Sequence, residues 1–339
     1  MAFSTPPATF QDILATGIAD QAFTKFLQDT PPPEYDNDIT IFKKAIEASL
    51  PARQQTFAST RPETIIEREH IIPVDDSFQS RVIICQPIES SGPTPLVVLY
   101  HGGGHCLGFP EFELDLARQL VTKLSVTVVL PSYKLAPEHP FPGGINSAWE
   151  VLKYLAAESQ RPHDPKKPLF TQDTNPKLGF IVGGTSAGAE LASVLAHLAR
   201  DNQLSPPLTG QFLSCGSYIS PDKVPFKYQP LYLSWEQNKN APVLDRKFMD
   251  VVSKARAQDP DSPLAYSFDQ HHPEDGPGEV KQGHLGLPPA FFQVCGLDPT
   301  RDDNLIYERV CGRNAEFRLG CICIQDGRIV FGHRIQIWR

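Results

Sequence analysis

No stretch of this 339-residue chain approaches the run of about 18 apolar residues that a membrane-spanning helix needs. Basic charge is in deficit. Lys and Arg number 31 against 39 Asp and Glu, a net charge of −8 that leaves no basic footprint for nucleic acid. Met1 to Phe10 lack a basic segment followed by an apolar core, so no secretory signal is expected. The seven cysteines (Cys85, Cys106, Cys215, Cys295, Cys311, Cys321 and Cys323) are odd in number and follow no framework spacing. That favours reduced thiols in an intracellular compartment. Cys321 and Cys323 stand one residue apart, too close for a C-x-x-C site, and no His/Cys cluster has zinc spacing. No metal and no organic cofactor are expected, and neither repeats nor low-complexity tracts are visible.

What is present is ordinary globular composition, 40% apolar and 21% charged. At about 150 residues per domain the length admits one large domain or two small ones. Residues 1–60 read as helical pieces around a turn at Pro31-Pro32-Pro33, with Ile41, Phe42, Ala45, Ile46 and Leu50 at helical spacing between Asp38 and Leu50. From residue 64 short β-rich runs take over: Thr64–Ile72, Arg81–Gln86, Pro95–Tyr100, Val126–Leu130, Leu178–Val182, Gln211–Cys215 and Ala290–Cys295. Several are near-continuous Val, Ile and Leu runs, as buried parallel strands are. Helical windows at Glu113–Leu124, Ile145–Ala157 and Ala187–Ala199 lie between them. The alternation implies an α/β fold, a parallel sheet with helices on both faces. Pro221–Gln282 is irregular, charged and proline-rich, and reads as an insertion over the sheet, with Glu274-Asp275 in it as a solvated loop.

Three segments at strand ends carry chemistry. Gly184-Thr185-Ser186-Ala187-Gly188 is G-x-S-x-G between a strand and a helix, the context that holds a serine at the tip of a sharp turn. The helix behind it offers unpaired N–H groups and a positive dipole end to a developing oxyanion. His101-Gly102-Gly103-Gly104 directly follows the run Pro95–Tyr100, and its bare glycines leave N–H groups uncovered for the same oxyanion. Gly296-Leu297-Asp298-Pro299-Thr300-Arg301-Asp302 follows Ala290–Cys295, where an aspartate can orient a histidine and stabilise its imidazolium. In isolation Asp298-Pro299 reads as a surface turn. The chain order, serine before aspartate, favours the triad.

Together these residues resemble the hormone-sensitive-lipase-like branch of the α/β-hydrolases over residues 60–310. The block from Tyr133 to Pro142, YKLAPEHPFP, is similar to the family's Y-R-L-A-P-E-H-x-F-P. The resemblance implies an α/β-hydrolase fold over residues 61–310, mostly parallel in its sheet, with residues 1–60 and the insertion 221–282 forming a cap over the acyl pocket. It makes Ser186 the nucleophile and Asp298 the acid, and the N–H groups of Gly103, Gly104 and Ala187 the oxyanion donors. Ala189 and Glu190 stand where the family usually has Gly and Asn, a departure expected to touch the pocket and spare the turn. The implied substrate is a small-molecule ester of a small or medium acyl group, cleaved through an acyl-enzyme. Amide, lactone or other acyl chemistry is the alternative within enzymes. The chain looks most like fungal members, some of which serve toxin and other secondary-metabolite pathways. Cys106 reads as a small apolar filler and His139 as structural.

The family's histidine is missing from its place. It belongs about thirty residues after the acid, in a segment like Y-P-G-x-P-H-x-F, but the chain there reads Gln325-Asp326-Gly327-Arg328-Ile329-Val330-Phe331. His333 is the nearest candidate base and lacks the expected neighbours. The genetic code supplies an account. Joining the third base of each codon from Cys323 onward to the first two of the next permits Y-P-G-W-P-H-R-F-W, with the histidine spanning the codons of Arg328 and Ile329. The same shift from Cys311 permits L-R-A-E-C-G-V-P-T-R-L. The segment 311–339 therefore reads as out-of-frame sequence after a one-base deletion, or an equivalent splice or sequencing fault, near codon 310; a divergent C-terminus that brings His333 to the site is the alternative. Loss of the histidine would leave residual catalysis, and loss of the last strand and helix would expose an apolar sheet edge. A small-molecule receptor, as some relatives without the histidine are, is then the alternative function. Ile337-Trp338-Arg339 is not a peroxisomal S-K-L signal, so the cytoplasm is expected, with the peroxisome as alternative because a shift would have erased such a signal.

Overall fold

In the computed structural model the β-rich runs become β1 (Ile65–Asp75), β2 (Phe78–Pro87), β3 (Leu96–Tyr100), β4 (Thr127–Pro131), β5 (Phe180–Thr185), β6 (Gly210–Ser214) and β7 (Ala290–Val294), followed by β8 (Glu316–Gln325) and β9 (Arg328–Ile335). The structure describes residues 10–19, 21–31, 38–161, 169–170, 173–269 and 283–311, and the backbone of the last two strands. One sheet holds them all, in the order β1-β2-β4-β3-β5-β6-β7-β8-β9. From β4 through β8 every neighbouring pair is parallel. The exceptions lie at the two ends. β1 and β2 form an antiparallel hairpin, and β2 meets β4 antiparallel. The hairpin turn is made locally: the Asp75 carboxylate accepts from the N–H and the hydroxyl of Ser77, an Asx-turn.

The helices are α1 (Phe10–Ala15), α2 (Gln21–Asp29), α3 (Ile39–Ala48), α4 (Leu50–Thr60), α5 (Leu114–Leu124), α6 (Gly143–Glu158), α7 (Ala187–Asp201), α8 (Ser234–Gln237), α9 (Arg246–Arg256) and α10 (Arg301–Cys311). Side chains alternate across the strands, and the layers follow from that alternation. Along β3, Leu96, Val98 and Tyr100 join the core shared with α6, α7 and α10, through Leu152, Leu195 and Ile306 among others. Val97 and Leu99 face the opposite layer, where Leu114, Ala117 and Val121 of α5 and Phe57 of α4 cover the sheet.

The seven runs and three helical windows lie where the residue pattern puts them, with ends shifted by at most three residues. Two expectations need correction. The edge of β7 is not left open: β8 pairs with it in parallel, Val294 opposite Leu319, and β9 folds back on β8. Phe317, Leu319, Ile322 and Ile324 give the tail strand propensity, and an unpaired strand edge takes up such a segment. The insertion is not irregular throughout either. α9 lies within it, started by Asp245, whose carboxylate accepts from the Phe248 N–H at 2.7 Å. Pro32, Pro33 and Glu274-Asp275 lie outside the described residues.

α3 and α9 pack over the glycine loop that follows β3. Ile39, Cys106, Leu107 and Ala136 form a separate buried cluster there, covered by Phe42 and by Phe248, Val251, Val252 and Ala255 of α9. Phe42 meets Phe248 edge-on at 5.9 Å. Cys106 is a buried member of that cluster, and burial pushes its thiol up to about 11. His139 packs edge-on against Phe78 at 6.3 Å.

Candidate active site

β5 ends at Thr185 and α7 begins at Ala187, which leaves Ser186 at the corner with φ 56° and ψ −119°. A serine in that region stores about 1–3 kcal/mol of strain and persists only when its surroundings over-determine it. Here they do. The Ser186 N–H donates to the Ser214 carbonyl at 2.7 Å, and its own carbonyl accepts from the N–H groups of Ala189 and Glu190. A Cβ on Gly184 or Gly188 would collide with the Tyr100 carbonyl oxygen, so these two glycines let the end of β3 press against the elbow. The next loop then passes Ser186 closely: a Cβ on Gly102 would stand 3.3 Å from the Ser186 Cβ.

Gly103 and Gly104 continue this loop with φ of 122° and 60°, conformations that favour glycine. The Gly103 carbonyl accepts from the N–H groups of Cys106 and Leu107, closing the turn. Ala187, at the first helical position of α7, has no acceptor for its N–H within the helix. The structure thus brings the loop of Gly103 and Gly104, the N-terminus of α7 and Ser186 together at the carboxyl ends of the parallel strands.

His101 supports this loop. Its ring stacks on Tyr133 at 4.5 Å, and the Tyr133 hydroxyl donates to the His101 carbonyl at 2.9 Å. Its Nδ1 lies 2.8 Å from the Gly102 carbonyl, so that nitrogen carries the proton. Burial pushes the imidazole down to about 4, and the ring is neutral at pH 7. Behind the elbow, Glu113 is buried against the Thr185 side chain, and burial raises its carboxyl to about 7.

Asp298 stands in the loop after β7. Its Oδ1 accepts from the N–H and the hydroxyl of Thr300, both at 2.8 Å. Burial pushes this carboxyl up, and the two Thr300 bonds partly offset that rise. The loop hangs on α8. Asn238 donates to the Gly296 and Asp298 carbonyls at 3.0 and 2.8 Å. The Asp302 carboxylate accepts from the Leu233 and Ser234 N–H groups, each at 2.7 Å, and from the fully buried Arg301. Thr16, just past α1, closes the other side, its carbonyl oxygen where a Gly296 Cβ would fall.

His333 lies on β9, which stands two strands beyond β7 in the sheet, about 10 Å away, and Asp298 follows β7 in a loop; the side chain of His333 lies outside the described residues. Among the described residues, no histidine is a hydrogen-bond partner of Asp298.

Sequence reasoning missed a third group. Glu190, one turn after Ser186 on α7, is buried and accepts a hydrogen bond from Arg256 at the end of α9. Its other carboxylate oxygen lies 3.4 Å from Nε2 of His105. Burial opposes ionisation of Glu190, but Arg256 and His105 outweigh it and hold the carboxyl below its ordinary value. The one available signal was Glu190 itself, an acid at a position where the motif expects an amide; nothing in the sequence points to Arg256, 66 residues away.

Among the described residues, no helix is long and apolar enough to cross a membrane, and no three His, Cys, Asp or Glu side chains converge as metal ligands would. A family model described as an α/β hydrolase fold matches residues 97–318. An AB hydrolase superfamily protein of Schizosaccharomyces pombe is 31% identical over 249 residues, 73% of this chain and 68% of that protein. The carboxylesterase NlhH of Mycobacterium tuberculosis is 32% identical over 253 residues, 73% of this chain and 69% of its own. The crystal structure of a vibralactone cyclase superposes with a TM-score of 0.76 at 25% identity, covering 94% of this chain and 89% of that one.

Proposed function

The chain belongs to the α/β-hydrolase family matched over residues 97–318, and on that premise we propose that it is a serine hydrolase lineage cleaving a carboxylic ester of a small or medium acyl group. The observation that carries this is the strained Ser186 held beside the Gly102-Gly103-Gly104 loop. Ser186 Oγ attacks the acyl carbon. The N–H groups of Gly103, Gly104 and Ala187 receive the negative charge as it forms on the carbonyl oxygen. The alcohol leaves, and water releases the acid from the acyl-enzyme. Asp298 is the triad acid, with its Oδ1 fixed by Thr300. Segments 1–60 and 221–282 act as the cap.

The base is the open position. With no described histidine on Asp298, the frame account of residues 311–339 stands as our reading: the lineage is catalytic and this chain carries a displaced reading frame. Coding DNA across codons 305–339 tests it, since a clean read with no family-like continuation in the second frame would sink it. The same observation favours one other reading, a small-molecule receptor on a hydrolase scaffold. Lactone-forming acyl chemistry within secondary metabolism is a finer version of the enzyme reading, in keeping with the likeness to a cyclase. A fluorophosphonate probe separates enzyme from receptor. Labelling that disappears in Ser186→Ala, together with lost ester hydrolysis at an unchanged melting temperature, is the expected result. Hydrolysis that is equal with and without the Ser186 hydroxyl would overturn the assignment.

A further inference from the structure

One carboxylate joins three elements that the reaction needs in register. Glu190 lies on the helix that starts at the nucleophile, and its N–H donates to the Ser186 carbonyl at 3.0 Å. Its carboxylate binds Arg256 of cap helix α9 and faces His105, the residue directly after Gly104. Both charged side chains are more than nine-tenths buried. We infer that Glu190 and Arg256 are positioning residues that fix α9 over the oxyanion loop.

The geometry of α9 shows why one pair can set its place. Arg256 and Val252 are four residues apart and share a helix face. Val252 is the residue that meets Gly104, its Cγ1 only 2.5 Å from where a Gly104 Cβ would be. The end of α9 is therefore pinned twice, by Glu190 on the Arg256 side chain and by the Phe141 N–H on the Arg256 carbonyl at 3.0 Å. One turn back, the pinned helix presses on the glycine whose N–H is a proposed oxyanion donor. The remaining fastenings of α9 are weaker at fixing register. They include apolar contacts with Ile39, Phe42 and Leu107 and a long Cys106 Sγ contact to the Val252 carbonyl at 3.9 Å. At the far end of the helix the Arg246 N–H donates to the Lys239 carbonyl, and its exposed side chain pairs with Glu236 and lies over Trp235. Arg256 itself also lies over the Phe141 ring. Apolar contacts tolerate sliding, whereas a buried charge pair does not, because either charge left alone carries its full desolvation cost.

This inference rests on the oxyanion role proposed for Gly103 and Gly104, but its test does not need turnover. Amide hydrogen exchange on the full chain, without substrate, compares wild type with Glu190→Gln, Arg256→Met and the double variant. In each single variant the amides of 248–256 and 103–107 exchange at least about tenfold faster, while those of β1 and β2 do not change. In the double variant exchange slows again, since no charge is left buried alone. Where Glu190→Gln fails to fold, Arg256→Lys, which keeps the charge and shortens the reach, is read by the same rule. Where Ser186-dependent hydrolysis is present, the single variants lower kcat more than they raise KM, because misplaced N–H groups are missed chiefly in the transition state. Unchanged exchange in α9, or a rise spread evenly over every strand, would overturn the inference. A chain rebuilt in the second reading frame after Val310 that still hydrolyses nothing, beside this local exchange pattern, would instead defeat the hydrolase reading and leave the pair in place.

Discussion

Ser186 and the Gly102-Gly103-Gly104 loop are held by main chain packed on main chain, whereas the loop of Asp298 is held by side chains that arrive from far along the sequence. On the first side, Gly102, Gly184 and Gly188 let three backbone segments approach closer than any side chain allows. On the second, Asn238, Ser234 and Asp302 span some 60 to 70 positions to build a loop out of hydrogen bonds. A site held by sterics announces itself in glycines at fixed spacing. One held by polar side chains leaves no such trace, since any of several residues at several distances would serve. The two halves are therefore expected to fail differently when broken.

The largest effect lies on the glycine side. Gly188→Ala places a methyl group inside the contact distance of the Tyr100 carbonyl, and neither backbone can move without disturbing β3 or the elbow. The expected cost is about 4 kcal/mol or more, in the range reserved for overpacked cores. A thermal melt reads it as a drop of many degrees and a loss of soluble protein. A melting temperature close to wild type would mean that the elbow yields more easily than its packing implies.

The same contrast decides how much was legible in advance. Seven strands, three helical windows and the three motif loops followed from apolar period, glycine placement and strand-end position, all of them local signals. The antiparallel sense of β2, the helix inside 221–282 and the Glu190–Arg256 pair did not, because each is set by a partner that the local pattern does not name. The tail is the instructive case. Its residues read as out-of-frame sequence, yet β8 pairs onto β7 and β9 onto β8. Strand pairing is satisfied by backbone groups, and alternating Ile, Leu and Phe suffice to extend a sheet whatever frame produced them.

Glu113 sharpens the comparison from within the glycine half, where a buried acid sits under Thr185. Its carboxyl rises from an ordinary 4.5 to about 7, mainly through burial. A group whose folded value is raised contributes stability below its unfolded value, and that contribution fades as pH climbs toward the folded one. Wild type should therefore lose up to about 3 kcal/mol between pH 4.5 and 7.5 on account of this residue. Glu113→Gln cannot ionise, and its advantage over wild type should grow across that window. Parallel stability curves for the two proteins would show that Glu113 finds a counter-charge or water.

Asn238→Ala breaks the other half alone. It removes one donor from each of the Gly296 and Asp298 carbonyls, which keep Arg301 Nη1 at 3.4 Å and the Arg301 N–H at 3.1 Å, so the loss of two bonds costs about 1–2 kcal/mol. Denaturant titration should show that shift. Fluorophosphonate reactivity of Ser186 should stay at the wild-type rate, because no part of the elbow leans on α8. A matching fall in Ser186 reactivity would join the two halves that the hydrogen bonds keep separate.

Asp298→Asn is expected to give the smallest effect, and its smallness is informative. In a working triad the acid acts through the histidine that it orients, and removing it costs orders of magnitude in rate. Here Oδ1 is occupied by Thr300, and on the frame reading proposed above the chain lacks the histidine that Asp298 would orient. The substitution should then change hydrolysis by less than about tenfold. The competing account, a complete triad with His333 as base, makes the opposite demand. Under it Asp298→Asn and His333→Ala each cost about a thousandfold or more, and the double variant costs no more than either, as two residues acting as one unit require. A chain rebuilt with the second reading frame after Val310 separates the accounts. If that chain gains activity by a thousandfold, and Asp298→Asn in the same background removes the gain, the acid was intact all along and only its partner was missing.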